Sequence, residues 1–138
     1  MTPEGIEIIT LEPDNTISFG NYHSDNKLKH ENFQFEGNSY NIRTYKETTR
    51  LTKNKELLVE TVPGSFVHNF HKENGQAFFG ITSFANTNIT VQLEEDTIYR
   101  ISAGKHRMGS MSSGVSGKLS FALDLSDGKE QIVRIEKA

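Results

Sequence analysis

The chain has 138 residues, which is the length of one domain, and its composition excludes a helical bundle. The chain contains only five Ala but nine Phe, eleven Ile, twelve Thr and eleven Asn, a composition that favours strands and turns over helices. A net charge of −3 disfavours nucleic acid as a partner, and the absence of cysteine excludes disulfides and thiolate chemistry.

Two hairpins separated by a polar loop are predicted in the first third of the chain. Alternating apolar residues on both sides of a turn at residues 13–15 indicate a first hairpin that begins at Ile6. Residues 22–31 are mostly polar, so we expect them to form an exposed loop. Apolar residues alternate with polar ones again on both sides of a turn at residues 36–38, which indicates the second hairpin.

Further strands and turns are predicted in the middle of the chain. Turn signals at residues 53–55 and 74–75 each separate two apolar segments, and the Asn-Gly pair at 74–75 is a strong hairpin signal. Phe66, His68 and Phe70 alternate with other residues between these turns, so we expect them to share one face of a strand.

The last third of the chain has the same pattern. Turns are predicted at residues 86–88 and 94–96, and the Gly- and Ser-rich residues 109–117 are predicted to be a flexible loop. The whole chain then holds roughly nine to eleven short strands and no long helix. We predict an all-β fold, a single antiparallel β-sandwich domain over residues 1–138.

The residues Leu-Glu-Glu-Asp-Thr-Ile-Tyr-Arg-Ile at positions 93–101 resemble the corner of fibronectin type III modules, which are immunoglobulin-like β-sandwiches. The resemblance implies that the Tyr99 hydroxyl bonds to the backbone near this corner and holds the two sheets in register. The structural residues predicted for this part of the core are Leu93, Tyr99, Ile101, Phe121 and Val133.

A longer resemblance covers most of residues 31–136. The segments 51–70, 93–101 and 116–123 are similar to short uncharacterised bacterial proteins, some of which carry the label endosialidase. Because endosialidases with that activity are large trimeric phage tailspikes, the resemblance implies a small stalk, cap or surface-binding portion of bacterial or phage origin. It carries over no catalytic residue.

Neither a metal site nor a cofactor is predicted. His68 and His71 are three residues apart on a predicted strand, so their side chains are expected on opposite faces. His23 and His30 share one polar loop and could bind zinc together with a carboxylate, but solvated histidines are the commoner outcome.

A catalytic site is not predicted either. The chain lacks the G-x-S-x-G nucleophile elbow and a phosphate-binding loop. Glu47, Glu56 and Glu60 lie on predicted strands, but the sequence does not place any two of them across a cleft, as glycoside hydrolysis requires. The lack of these catalytic motifs favours a protein that is not an enzyme.

Two loops, residues 22–30 and 108–115, are the preferred candidates for a binding surface. The candidate ligand-binding residues there and at other predicted surface positions are Tyr22, His23, His30, Tyr40, Tyr45, Phe84, Met108 and Met111. The absence of tryptophan weakens a glycan-binding hypothesis, because Trp offers the best flat stacking surface.

Three functions remain open at this point. The first is a non-catalytic binding or assembly module for an unidentified protein or carbohydrate partner. The second is a structural subunit of a phage or surface assembly, a homo-oligomer that pairs through exposed strand edges. The third and least favoured is a glycan hydrolase. Neither a signal peptide nor a membrane-spanning segment is recognised, which favours a cytoplasmic protein or a virion or surface component.

Overall fold

The computed structural model describes residues 8–138, and within this range the regular structure is entirely β-strand. The part of the predicted first hairpin that contains Ile6 lies outside the described residues. The thirteen strands are β1 (Ile9–Leu11), β2 (Ile17–Phe19), β3 (Leu28–Phe35), β4 (Asn38–Tyr45), β5 (Thr48–Lys53), β6 (Glu56–Val62), β7 (Phe66–Glu73), β8 (Gln76–Thr82), β9 (Asn86–Gln92), β10 (Ile98–Ala103), β11 (His106–Ser112), β12 (Lys118–Asp124) and β13 (Gln131–Lys137).

The strands form two antiparallel sheets, which confirms the predicted all-β sandwich with slightly more strands than expected. The seven-stranded sheet has the order β1-β2-β7-β8-β13-β10-β11, and the six-stranded sheet has the order β12-β9-β6-β5-β4-β3. The chain passes repeatedly from one sheet to the other, for example between β6 and β7 and between β9 and β10. None of the described residues forms a helix that could span a membrane.

The core lies between the sheets and follows from the alternation of apolar residues along each strand. In the six-stranded sheet, one inward row runs in register from Ile42 through Leu51, Val59 and Val91 to Leu119. All five side chains are at most 3% exposed. Burying one such side chain contributes about 1.5–3 kcal/mol, so rows of this kind supply the main driving force for folding.

The predicted structural residues are all buried. Leu93, Tyr99, Ile101, Phe121 and Val133 are between 0% and 7% exposed. The chain crosses from the six-stranded to the seven-stranded sheet between Leu93 and Ile98, which places Tyr99 directly after the crossing.

Two segments predicted as loops contain strands. Strand β3 begins at Leu28, inside the predicted loop 22–31, because Leu28 is buried and Lys29 and His30 pair with β4. Strand β11 includes residues 109–112 of the Gly- and Ser-rich segment 109–117 and pairs with β10, although all seven of its residues are exposed. Small polar residues there reflect exposure to solvent and not a lack of strand pairing. The turn predicted at 86–88 is also displaced, since β9 begins at Asn86.

The prediction that Phe66, His68 and Phe70 share one face is wrong. The pairing of β7 with β8 shifts register between His68 and His71, where Asn69 adopts a φ of 52°. A bulge of this kind inserts one residue and reverses the alternation beyond it. Phe70 therefore enters the core at 4% exposure, while Phe66 and His68 remain half-buried on the other side of the strand.

Candidate binding site

A mainly apolar cleft opens at the end of the sandwich where β2 ends, β7 begins and β8 ends. Its volume is about 340 Å³. We call it the aromatic cleft, and its lining residues are Gly20, Asn21, Tyr22, His23, Phe66, His68 and Thr82. Open clefts with apolar walls and a few polar groups are typical of ligand sites.

The first wall of the aromatic cleft is formed by Tyr22 and His23, and Phe84 from a second loop stacks on Tyr22. The ring of Tyr22 lies 4.2 Å from that of His23 and 5.9 Å from that of Phe84, with an angle of 20° to Phe84. Tyr22 follows β2, whereas Phe84 lies in the turn between β8 and β9. Phe84 is 51% exposed, so this wall presents aromatic surface to solvent.

The second wall is formed by Phe66 and His68 on β7. Their rings are stacked with centroids 4.2 Å apart and an angle of 13°. Nε2 of His68 lies 3.0 Å from Oγ1 of Thr82 and 3.7 Å from a carboxylate oxygen of Glu130. This wall therefore combines an aromatic surface with hydrogen-bonding groups at its margin.

Gly20 allows the first wall to approach the second. Its φ of +112° lies in the region that favours glycine, and a Cβ at this position would clash with the carbonyl oxygen of Ser65. The segment that carries Tyr22 thus passes directly against the segment that carries Phe66. A side chain at position 20 would force these two segments apart.

Buried hydroxyl groups hold both walls to the six-stranded sheet. Oγ1 of Thr44 lies 2.7 Å from Oγ1 of Thr49, which donates a hydrogen bond to the carbonyl oxygen of Ser65 at 3.1 Å. The Ser65 hydroxyl lies 2.7 Å from Oγ1 of Thr61, and all four residues are 0% exposed. The backbone N–H of Asn21 donates to Thr44 at 2.9 Å, which attaches the first wall to the same network.

The structure brings three of the predicted ligand-binding residues together, Tyr22, His23 and Phe84. The cleft also uses Phe66 and His68, which the sequence indicated only as strand residues. The bulge at Asn69 decides their orientation, and the only signal for it in the sequence is that Asn tolerates a positive φ.

The remaining predicted residues lie elsewhere. Tyr40 is only 5% exposed, with its ring 6.1 Å from that of Phe35, and its pKa is raised by burial and, to a lesser extent, by Glu36. Tyr45 lies under the ammonium group of Lys27 at 5.8 Å. The other three residues lie on strands: His30 on β3, and Met108 and Met111 on β11 at one edge of the seven-stranded sheet.

No group of three or more His, Cys, Asp or Glu side chains among residues 8–138 is placed to hold a metal ion. The ring of His23 is tilted against that of Tyr22, and the ring of His30 lies 5.8 Å from that of Phe33.

The chain matches no protein-family model, no curated protein sequence and no solved structure. The resemblances to fibronectin type III modules and to endosialidase-labelled proteins therefore depend on the segments 51–70, 93–101 and 116–123 alone.

Proposed function

We propose that the chain is a non-catalytic binding module and that the aromatic cleft binds a carbohydrate. The observation that carries the proposal is the convergence of Tyr22, which follows β2, with Phe66 and His68 of β7 on one open apolar cleft. Aromatic faces stack on the apolar faces of sugar rings, while His68 and Thr82 offer hydrogen bonds to sugar hydroxyls.

Binding is favoured over hydrolysis by the groups at the cleft. Glycoside hydrolysis requires two carboxylates that face each other across the substrate. The described lining of the aromatic cleft contributes aromatic, amide, hydroxyl and imidazole groups, with Glu130 at the margin beside His68. This composition suits recognition of a ligand.

The proposal includes a likeness to fibronectin type III modules, which is supported by one feature. The Tyr99 hydroxyl bonds to backbone at the crossing between the sheets, as in the corner of fibronectin type III modules. Thirteen strands exceed the seven to nine of immunoglobulin-type domains, so the likeness concerns the corner and the sandwich, not the strand order.

The experiment is an NMR titration that follows the aromatic carbons of the chain. The probes are N-acetylhexosamine and sialic-acid oligosaccharides, the latter because of the resemblance to endosialidase-labelled proteins. We expect saturable shifts at Tyr22, Phe66 and His68, and loss of binding in Y22A and F66A, with the fold of each variant checked by its backbone spectrum. Y45A is the matched control and should bind like the parent chain.

Two outcomes would contradict the proposal. One is that none of the oligosaccharides gives saturable shifts at the cleft. The other is that a folded F66A variant binds with unchanged affinity, because the second wall would then not contact the ligand.

Strand β11 supports a second candidate function, self-assembly with another copy of the chain. It is a seven-residue edge strand with all residues exposed, and Arg107 is its one side chain with a fixed charge. The edge strand β1 has only three residues, and β3 carries Lys29 and Glu31, features that discourage pairing between chains. Light scattering after size exclusion tests this candidate: a dimer that M108K and M111K convert to monomer supports it, and a monomeric parent chain overturns it.

A further inference from the structure

Three basic side chains stand side by side on the outer face of the six-stranded sheet. Lys29 on β3 lies directly opposite Arg43 on β4, and Arg43 lies directly opposite Arg50 on β5. All three residues are exposed. Neighbouring strands are about 4.8 Å apart, so the three side chains begin at intervals of about 5 Å. We call these residues the cationic row.

This arrangement of like charges lowers the stability of the fold. Like charges directly opposite each other on neighbouring strands are destabilising. Arg50 has a partial counterion, since its Nη1 lies 3.3 Å from a carboxylate oxygen of Glu60, but Lys29 and Arg43 form no ion pair among the described residues. The chain has 18 acidic and 15 basic residues, so a general excess of positive charge does not explain the row.

The cationic row also borders a groove that could hold a ligand. The groove has a volume of about 500 Å³, and its lining includes Asn41 and Thr52 in addition to the row. Arginine side chains present several N–H donors in a fixed plane, which suits the oxygens of phosphate, sulfate and carboxylate groups. The groove therefore combines concentrated positive charge with hydrogen-bond donors.

Acidic residues limit the length of the positive surface. Glu31 lines the same groove and offsets the charge of Lys55, a further basic residue of its lining, and Glu60 lies next to Arg50 on the adjacent strand β6. The row thus spans three strands, or about 10 Å between its first and last members. A surface of this extent suits a compact anion better than a long polyanion, whose further charges would meet Glu60.

We propose that the cationic row binds a compact oxyanion with two or more negative charges, a phosphate or sulfate group either free or esterified. The site is separate from the aromatic cleft, because the two share no lining residue. It goes beyond the carbohydrate-binding function and can exist without it.

The test is an NMR titration that follows the Nε–Hε resonances of the arginines. Inorganic phosphate, sulfate and pyrophosphate are added at constant ionic strength, with sodium chloride as the reference salt. We expect saturable shifts at Arg43 and Arg50. Arg100 and Arg107, which line a different groove beside Glu136, serve as internal controls and should shift little. Parallel titrations with glucose 6-phosphate tell whether an esterified ligand binds more tightly than free phosphate.

The variant R43Q should change anion affinity and thermal stability in opposite directions. Removing the central charge should weaken pyrophosphate binding roughly tenfold, and it should raise the melting temperature because repulsion within the row is relieved. R134Q, an exposed arginine on β13, is the matched control and should change neither quantity. Shifts that do not saturate, equal shifts at Arg100 and Arg107, or unchanged affinity in R43Q would each overturn the proposal.

Discussion

The hydroxyl of Tyr99 donates a 2.8 Å hydrogen bond to the carbonyl oxygen of Gly75. The same hydroxyl accepts a 3.1 Å hydrogen bond from the backbone N–H of Glu94. Gly75 lies in the turn between β7 and β8 of the seven-stranded sheet, whereas Glu94 lies where the chain leaves the six-stranded sheet. One buried side chain therefore connects a hairpin of one sheet to the crossing from the other.

Replacing Tyr99 with Phe should destabilise the fold by about 1 kcal/mol, because two backbone groups lose their partner while the ring remains. For a chain of this length the melting temperature should fall by roughly 3–5 °C. Thermal unfolding followed by circular dichroism measures the change. Y45F is the control, since the Tyr45 hydroxyl makes no hydrogen bond within residues 8–138. Equal melting temperatures for Y99F and the parent chain would show that the two bonds do not contribute.

Replacing Gly20 with Ala should lower the stability of the fold by more than the positive φ at this position explains. A positive φ costs an alanine roughly 1–2 kcal/mol, and at position 20 the added Cβ would also clash with the carbonyl oxygen of Ser65. Gly109 has a φ of +105°, close to that of Gly20, with no atom near its Cβ position, so G109A measures the backbone cost without a clash. Urea unfolding of both variants compares the two effects. If G20A and G109A were equally destabilised, the close approach of Ser65 to Gly20 would not contribute to the loss of stability.

The variant T49V tests the hydroxyl network behind the aromatic cleft. Valine keeps the shape of threonine, but it removes the hydroxyl that donates to the carbonyl oxygen of Ser65 and accepts from the backbone N–H of Ser65. Leaving buried polar groups unsatisfied costs roughly 1–3 kcal/mol, so T49V should be clearly destabilised in urea unfolding. T90V is the matched control, because Thr90 bonds to Ser120 in an exposed pair. A loss of stability no larger in T49V than in T90V would mean that water replaces the missing hydroxyl.

The sequence was sufficient where local chemistry decides the structure. Apolar alternation around residues 36–38 predicted the hairpin of β3 and β4, and the Asn-Gly pair at 74–75 predicted the turn between β7 and β8. It failed at β11, because an exposed edge strand shows no apolar alternation and is held by backbone bonds to β10. Backbone pairing at an exposed edge places few constraints on side-chain type, so the sequence pattern does not indicate it.

The candidate site was only partly predictable for a related reason. Tyr22 and Phe84 could be named as exposed aromatic residues, but their stacking depends on loops that are 62 positions apart in sequence. The second wall depends on the register shift after His68, which a period-two pattern cannot show. Likewise, the cationic row exists only once the pairing of β3, β4 and β5 is known.

Asp14 should make the fold sensitive to acid. The hydroxyl and backbone N–H of Thr16 donate to Oδ1 of Asp14 at 2.6 and 3.2 Å, and these bonds hold the pKa of the Asp14 carboxyl below its ordinary value of 3.8. Because the folded state binds this proton less readily than the unfolded state, the contribution of Asp14 is fully present well above pH 3.8. It is lost as the pH falls through the lower pKa of the folded state. D14N should therefore lose less stability than the parent chain between pH 5 and 3, measured by urea unfolding at each pH, while D127N serves as control. Parallel pH profiles for D14N and the parent chain would show that the Thr16 bonds do not distinguish the two states of the carboxyl.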